Sequence, residues 1–163
     1  MLAIMLMLAS MTSVYPVRIG PGGTLIVGVS GDPVTLCPLH STSGSAPQMV
    51  GAIFESLIVH DANLNPIPVL AESMRITPDG LTYTFNLVRN ATWHDGKPFG
   101  SEDVKYTLEE FMPKYHPWGK PFQAVDHVET PDSYTAVMKL KYVCLSVNIY
   151  LGMTKILPAH LYK

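Results

Sequence analysis

The strictest alternation of apolar and polar positions is "LTYTFNLV", residues 81–88, where Tyr83, Phe85 and Leu87 interleave with Thr82, Thr84 and Asn86. A period of two places the three large apolar side chains on one face, which predicts a strand with one side in a core. "SMRI" and the turn "TPDG" precede it, so the whole stretch reads as an antiparallel hairpin. The same grammar returns as "AVDHVE", "TPDS" and "YTAVMKL", residues 124–140. In both turns proline presets φ and aspartate can bond the backbone ahead of it. Two such hairpins predict a small antiparallel sheet.

Helical spacing appears elsewhere. Met49, Val50, Ile53, Phe54 and Leu57 follow Ser45 and Pro47, which predicts an amphipathic helix over 46–57. Val104, Leu108 and Phe111 mark a stripe in "SEDVKYTLEEFM". Glu102 and Asp103 suit the positive end of that helix, and Pro113 is expected to stop it. "LSVNIYLG", 145–152, fits a short helix or strand ending at Gly152. "TLIVGVS", 24–30, is continuously apolar and β-branched, as in a strand buried on both faces. Residues 31–45 read as a loop, and 60–73 as irregular, with two prolines.

Composition narrows the class. The chain has 163 residues, 47% apolar and 15% charged, enough for one domain with a core. A formal net charge of −2 gives no basic footprint for nucleic acid, and no Lys/Arg run points to an anionic membrane. The two cysteines, Cys37 and Cys144, make no disulfide framework; a single bridge and two free thiols are both open. The run Leu2–Ala9 is apolar and is followed by small polar residues, like the core and tail of an export signal. It lacks a basic leader and is shorter than the roughly 20 residues a bilayer span needs. Residues 1–21 are therefore read as a signal-like or disordered N-terminal segment.

The chemically densest stretch is "TWHDGKPFGSEDV", 92–104. A hydrolytic reading would use His94, Asp95 and Ser101 as base, orienting acid and nucleophile. No nucleophile elbow, HExxH or phosphate loop supports it. The six histidines form no HxH or HxxH pair, so no metal site is expected. A framework reading accounts for more residues. Asp95-Gly96 makes a turn, Trp93 buries its ring on the sheet and Phe99 anchors the approach to the helix. Asp103 reaches back to the free N–H groups of the helix start. No catalytic residue is assigned, and no cofactor.

That stretch carries a resemblance. "ITPDGLTYTFNLVRNATWHDGKPFGSEDVKYTLEEF" resembles the signature region of the extracellular solute-binding proteins of family 5, which serve ABC importers of peptides, dipeptides and nickel. "GGTLIVGVSGDPVTLCPL" is similar to the family's first strand and following loop. "IFESLIVHDANLNPIPVLAES" resembles the segment before the hairpin, and "ILPAHLY" a later turn. Cys37 stands where the family has Asn, and Gly100 where it has a capping Thr.

The resemblance implies an α/β (α+β) fold of the periplasmic-binding-protein-like class II. Residues 22–163 would form part of the first lobe only, a small, mostly antiparallel sheet with flanking helices. It implies a fragment of an exported substrate-binding component, periplasmic or extracellular, that takes peptides or similar small solutes and docks on ABC importer permease subunits. Contact with the membrane would come only through the transporter, and nucleic acid is not a partner. The residues that resemble the cleft wall are Ser30, Gly31, Asp32, Pro33, Val34, Thr42 and Ser43. There an extended peptide could bond main-chain groups. A stand-alone binding module derived from the lobe, or a non-functional truncated product, is the alternative. With its sheet partners elsewhere, "TLIVGVS" is expected to expose its edge.

Overall fold

In the computed structural model the described residues are 22–29, 31, 36, 38 and 46–163. Both hairpins form, and they join into one four-stranded antiparallel sheet. β3 (Ala71–Ile76) pairs with β4 (Thr82–Leu87), β4 with β6 (Thr135–Leu140), and β6 with β5 (Val125–Asp132), in the order β3-β4-β6-β5. Tyr83, Phe85 and Leu87 are buried, as their alternation requires, and Ala136, Met138 and Leu140 of β6 line the same core. The mixed helix-and-strand class expected from the sequence is the one found.

The first turn is built as its residues dictate. Gly80 N–H donates to Thr77 O at 2.8 Å, Gly80 takes φ 70°, and Leu81 N–H donates to Asp79 Oδ1 at 3.0 Å. The second differs from expectation. β5 continues through Thr130-Pro131 to Asp132, so only Ser133 and Tyr134 link the strands. Pro131 is tolerated because β5 is an edge strand, where a missing N–H removes no ladder bond.

A small hairpin precedes the sheet where irregular chain is predicted. β1 (Ile58–His60) pairs with β2 (Pro66–Pro68). Asp61 closes it: its Oδ1 accepts from Asn63 and Asn65 N–H, both at 2.8 Å, and Leu64 takes φ 65°. The two prolines of β2 read as breakers, which is why a pattern search passes over this strand.

The helix expected over 46–57 is shorter. α1 is Ala46–Gly51, and no helix covers residues 54–57. Ile156 N–H donates to Glu55 O at 2.9 Å, and Ala71 N–H to Leu57 O at 2.9 Å. These long-range backbone bonds outweigh the helical period. α2 (Ser101–Lys105) runs without a break into a π-helical stretch (Tyr106–Phe111) and α3 (Met112–Tyr115). Pro113 therefore does not end the helix. The ladder is already loosened before it, with Met112 N–H bonded to Thr107 O, five residues back. A missing donor disturbs a loosened ladder less than a regular one. α4 (Leu145–Leu151) resolves the ambiguous C-terminal run as helix, and α5 (Ala159–Tyr162) follows.

"TLIVGVS" departs most from the reading as a doubly buried strand. Residues 22–29 carry no strand pairing, and Leu25 and Ile26 are 87% and 88% exposed. No described strand lies beside them to bury the run. Among the described residues the core is drawn from Val50 onward.

One glycine marks an unavoidable close approach. A Cβ on Gly119 would lie 1.8 Å from Met112 O. Gly119→Ala is expected to destabilise the protein by about 3 kcal/mol or more, since backbone must move. A urea midpoint equal to wild type would contradict that contact.

Among the described residues, four turn aspartates contribute to the acid response. Asp61, Asp79, Asp95 and Asp132 are each held below the ordinary carboxylate value by hydrogen bonds. The first causes are the Asn65 amide for Asp61, the Thr77 hydroxyl for Asp79, His160 for Asp95 and the Tyr134 N–H for Asp132. A depressed folded pKa contributes stability that is present above the unfolded value, near 3.8, and is lost as pH falls through the folded value. His127 works in the opposite sense. Asp126 and then Glu129 raise its pKa, so its contribution is present below 6.5 and lost as pH rises through the raised value. The urea midpoint should therefore drop below about pH 4, and Asp79→Asn should flatten part of that drop. An acid limb that is identical in wild type and variant would contradict the assignment.

Candidate functional site

The stretch from Trp93 to Asp103 folds into a corner between the sheet and α2. Asp95-Gly96 turns the chain: Gly96 takes φ 85°, Gly96 N–H donates to Trp93 O at 2.9 Å, and Lys97 N–H donates to Asp95 Oδ1 at 3.1 Å. Trp93 packs against the core and meets Phe99 edge-on, with ring centroids 6.2 Å apart. Phe99 is buried.

Asp103 organises this corner. Its carboxylate is buried and accepts three hydrogen bonds. Trp93 Nε1–H and Gly100 N–H donate to Oδ2, each at 3.0 Å, and Ala159 N–H donates to Oδ1 at 2.8 Å. Gly100 N–H to Asp103 is one half of a capping box; glycine has no side chain to complete the other half. One turn later Thr107 Oγ1 donates to Asp103 O at 2.7 Å and accepts from Leu157 N–H at 3.0 Å. The segment "ILPAHLY" is thus held by two side chains of the helix.

The helix start is also latched to the second hairpin. Ser101 N–H donates to Ser133 O at 2.9 Å, and Ser101 Oγ donates to Asp132 O at 2.6 Å. Ser101 is buried and its hydroxyl proton is committed to a carbonyl. His94 is exposed. Asp95 Oδ2 pairs with His160 Nε2 at 2.7 Å. His94, Asp95 and Ser101 therefore do not assemble a nucleophile, base and orienting acid. The pairing of Asp95 with His160 is invisible to sequence reading, because 65 positions separate the two residues.

Two hollows flank the corner. An open groove of about 600 Å³ runs past Lys97, Glu102, Asp132, Tyr134 and His160. A smaller hollow of about 260 Å³ lies between the end of α1 and the corner, against Phe54, Leu70, Trp93 and Phe99. Glu102 on the groove is held below its ordinary pKa, first by the Thr130 hydroxyl. Among the described residues no group of three or more His, Cys, Asp or Glu side chains could hold a metal ion.

Of the residues matched to a cleft wall, only Gly31 is described, and it is exposed. Ser30, Asp32, Pro33, Val34, Thr42 and Ser43 lie outside the described residues, as does Cys37. Cys144 is half-buried, with Sγ 3.3 Å from Ser146 Oγ.

Residues 65–162 match the family described as bacterial extracellular solute-binding proteins, family 5 Middle. The chain belongs to this family. The family 5 corner and both hairpins of the larger sheet fall inside the matched stretch. The oligopeptide-binding protein AppA of Bacillus subtilis is 31% identical over 145 residues, which is 86% of this chain and 26% of AppA. Among solved structures, the ABC transporter substrate-binding protein CtaP of Listeria monocytogenes superposes with a TM-score of 0.77 at 30% identity, covering 87% of this chain and 30% of CtaP. NikZ of Campylobacter jejuni, solved in complex with Ni(L-His), gives a TM-score of 0.69 at 28% identity over 82% of this chain and 27% of NikZ. The chain spans about a quarter of the length of the curated relatives it matches. Among the described residues no helix is long and apolar enough to cross a membrane.

The corner makes a sharp expectation. Asp103→Asn replaces one acceptor oxygen by an NH₂ group, which then faces an N–H donor. The expected cost is about 2–4 kcal/mol, from lost bonds to a charged acceptor and a buried donor left unmet. Trp93→Phe should cost less, about 1 kcal/mol. In a double-mutant cycle the two losses should fall short of additive by at least about 0.5 kcal/mol. Additive losses in urea denaturation would show that the indole and the carboxylate act independently.

Proposed function

We propose that the chain is the framework part of the substrate-binding component of an ABC importer, acting outside the cytoplasmic membrane on peptides or similar small solutes. The observation that carries this reading is the family 5 corner itself. The polar side chains at its centre are committed to holding two hairpins, a helix and the C-terminal segment in one arrangement. Trp93, Ser101, Asp103 and Thr107 each direct their polar atoms to backbone or to one another. Such a corner positions a binding surface and performs no reaction.

On this reading residues 22–163 are part of the first of two lobes, and 1–21 are a signal-like segment. Ligand contacts come from Ser30, Gly31, Asp32, Pro33, Val34, Thr42 and Ser43, where main-chain groups can bond an extended peptide whatever its side chains. Binding then favours a closed arrangement of lobes, and that arrangement docks on the permease subunits.

A thermal-shift titration with short peptides tests the reading on the chain as it stands. A ligand bound only by the folded state raises stability by RT ln(1 + [L]/Kd), about 2.7 kcal/mol at a hundredfold excess over Kd. Saturable stabilisation by a peptide, weakened by substituting Asp32→Ala, would show that the cleft-wall segment binds without further chain. Peptide hydrolysis abolished by His94→Ala would instead overturn the assignment as a binding protein.

A further inference from the structure

The outer edge of β5 is interrupted at both ends and closed at its centre. Register shifts between Val125 and His127 and between Glu129 and Asp132 break its regularity. Pro131, inside the second of these, has no N–H to offer. Bulges and prolines of this kind make an edge strand a poor template for another chain. Within β5 only His127–Glu129 keeps regular pairing, and there backbone N–H groups point alternately to β6 and away from it. Val128 is the residue whose N–H points away. It donates to Glu109 Oε2 at 2.6 Å, a side chain of the helical run. Thr130 Oγ1 donates to Glu102 Oε1 at 2.8 Å, a second tie from the same run.

We propose that Glu109 is the gatekeeper of this edge: its carboxylate occupies the backbone donor through which β5 would otherwise add the strand of a second copy of this chain. A bond from N–H to a charged acceptor is shorter and stronger than the neutral bond to a carbonyl that an incoming strand would offer, so the exchange is unfavourable. Leu108, the residue before Glu109, and Val128 both lie in the core, which fixes the backbone on either side of the bond. Every group involved belongs to the sheet or to the helical run packed on it. The bulges and Pro131 close the ends of β5 by the path of the backbone. Glu109 closes the centre with one side chain, so its removal opens the edge and leaves the path of the strand as it was.

Amide exchange and sedimentation velocity of the whole chain, wild type beside Glu109→Ala and Glu109→Gln, test this role. In dilute Glu109→Ala the Val128 amide should exchange at least about tenfold faster than in wild type, as expected for the loss of one bond to a charged acceptor. Exchange at Phe85, in β4, should stay unchanged, which separates an opened edge from a loosened fold. As concentration rises, the weight-average sedimentation coefficient of Glu109→Ala should climb above that of wild type, and its Val128 amide should slow again. Glu109→Gln keeps an acceptor oxygen and should sediment as wild type, with a Val128 rate between the other two. Equal sedimentation of wild type and a folded Glu109→Ala would overturn the proposal, as would a wild-type Val128 rate in both variants. Should Glu109→Ala lose its fold, Glu109→Gln decides: faster exchange confined to Val128 supports the closed edge, and an unchanged rate there overturns it.

Discussion

One buried carboxylate holds the parts of this protein in register. Asp103 takes N–H groups from an indole, from the residue just before its own helix and from the start of α5. A buried charge is costly unless it is fully bonded, and a charge bonded by three fixed donors tolerates little displacement of any of them. The donors lie on three separate stretches of chain, so the carboxylate fixes the angle between the sheet corner, the helix and the C-terminal segment together. Thr107 repeats the device one turn along the helix, its hydroxyl donating to Asp103 O and accepting from Leu157 N–H.

The sheet supplies the other half of the constraint. Tyr83, Phe85, Leu87 and Met138 present one apolar face, and Val104 and Leu108 of the helical run share the same core. Ser101 ties the helix start to the Asp132–Tyr134 turn through its N–H and its hydroxyl. Glu102 and Glu109 reach from the helix to β5. The helix is thus attached to the sheet by packing along its length and by polar bonds at its start and on one side. His94, exposed on the corner, takes no part in these bonds.

What can be read from sequence follows the range of the interactions. The β3–β4 hairpin is legible because alternation and turn chemistry are local and agree. The role of Asp103 as a helix-start acceptor is legible from its position three residues after Gly100. Its bond to Ala159 is not, since nothing near residue 103 points to residue 159. The β1–β2 hairpin escapes because Pro66 and Pro68 carry a turn signal even within a strand. α1 reads too long because Ile53, Phe54 and Leu57 keep helical spacing while Glu55 and Leu57 give their carbonyls to distant parts of the chain. The shared family framework of 65–162 is legible from its motif order. The cleft-wall residues rest on resemblance alone, because six of the seven fall outside the described residues.

The sequence separations of the three donors to Asp103 have a kinetic consequence. Gly100 is 3 residues away and Trp93 is 10, but Ala159 is 56. Loop-closure entropy rises with separation, so the two near bonds can form with the first hairpin and helix, whereas the third waits for the second hairpin to be in place. During synthesis the carboxylate emerges with two of its donors already made and the third still unsynthesised. Docking of α5 is then the closing event of folding for this corner.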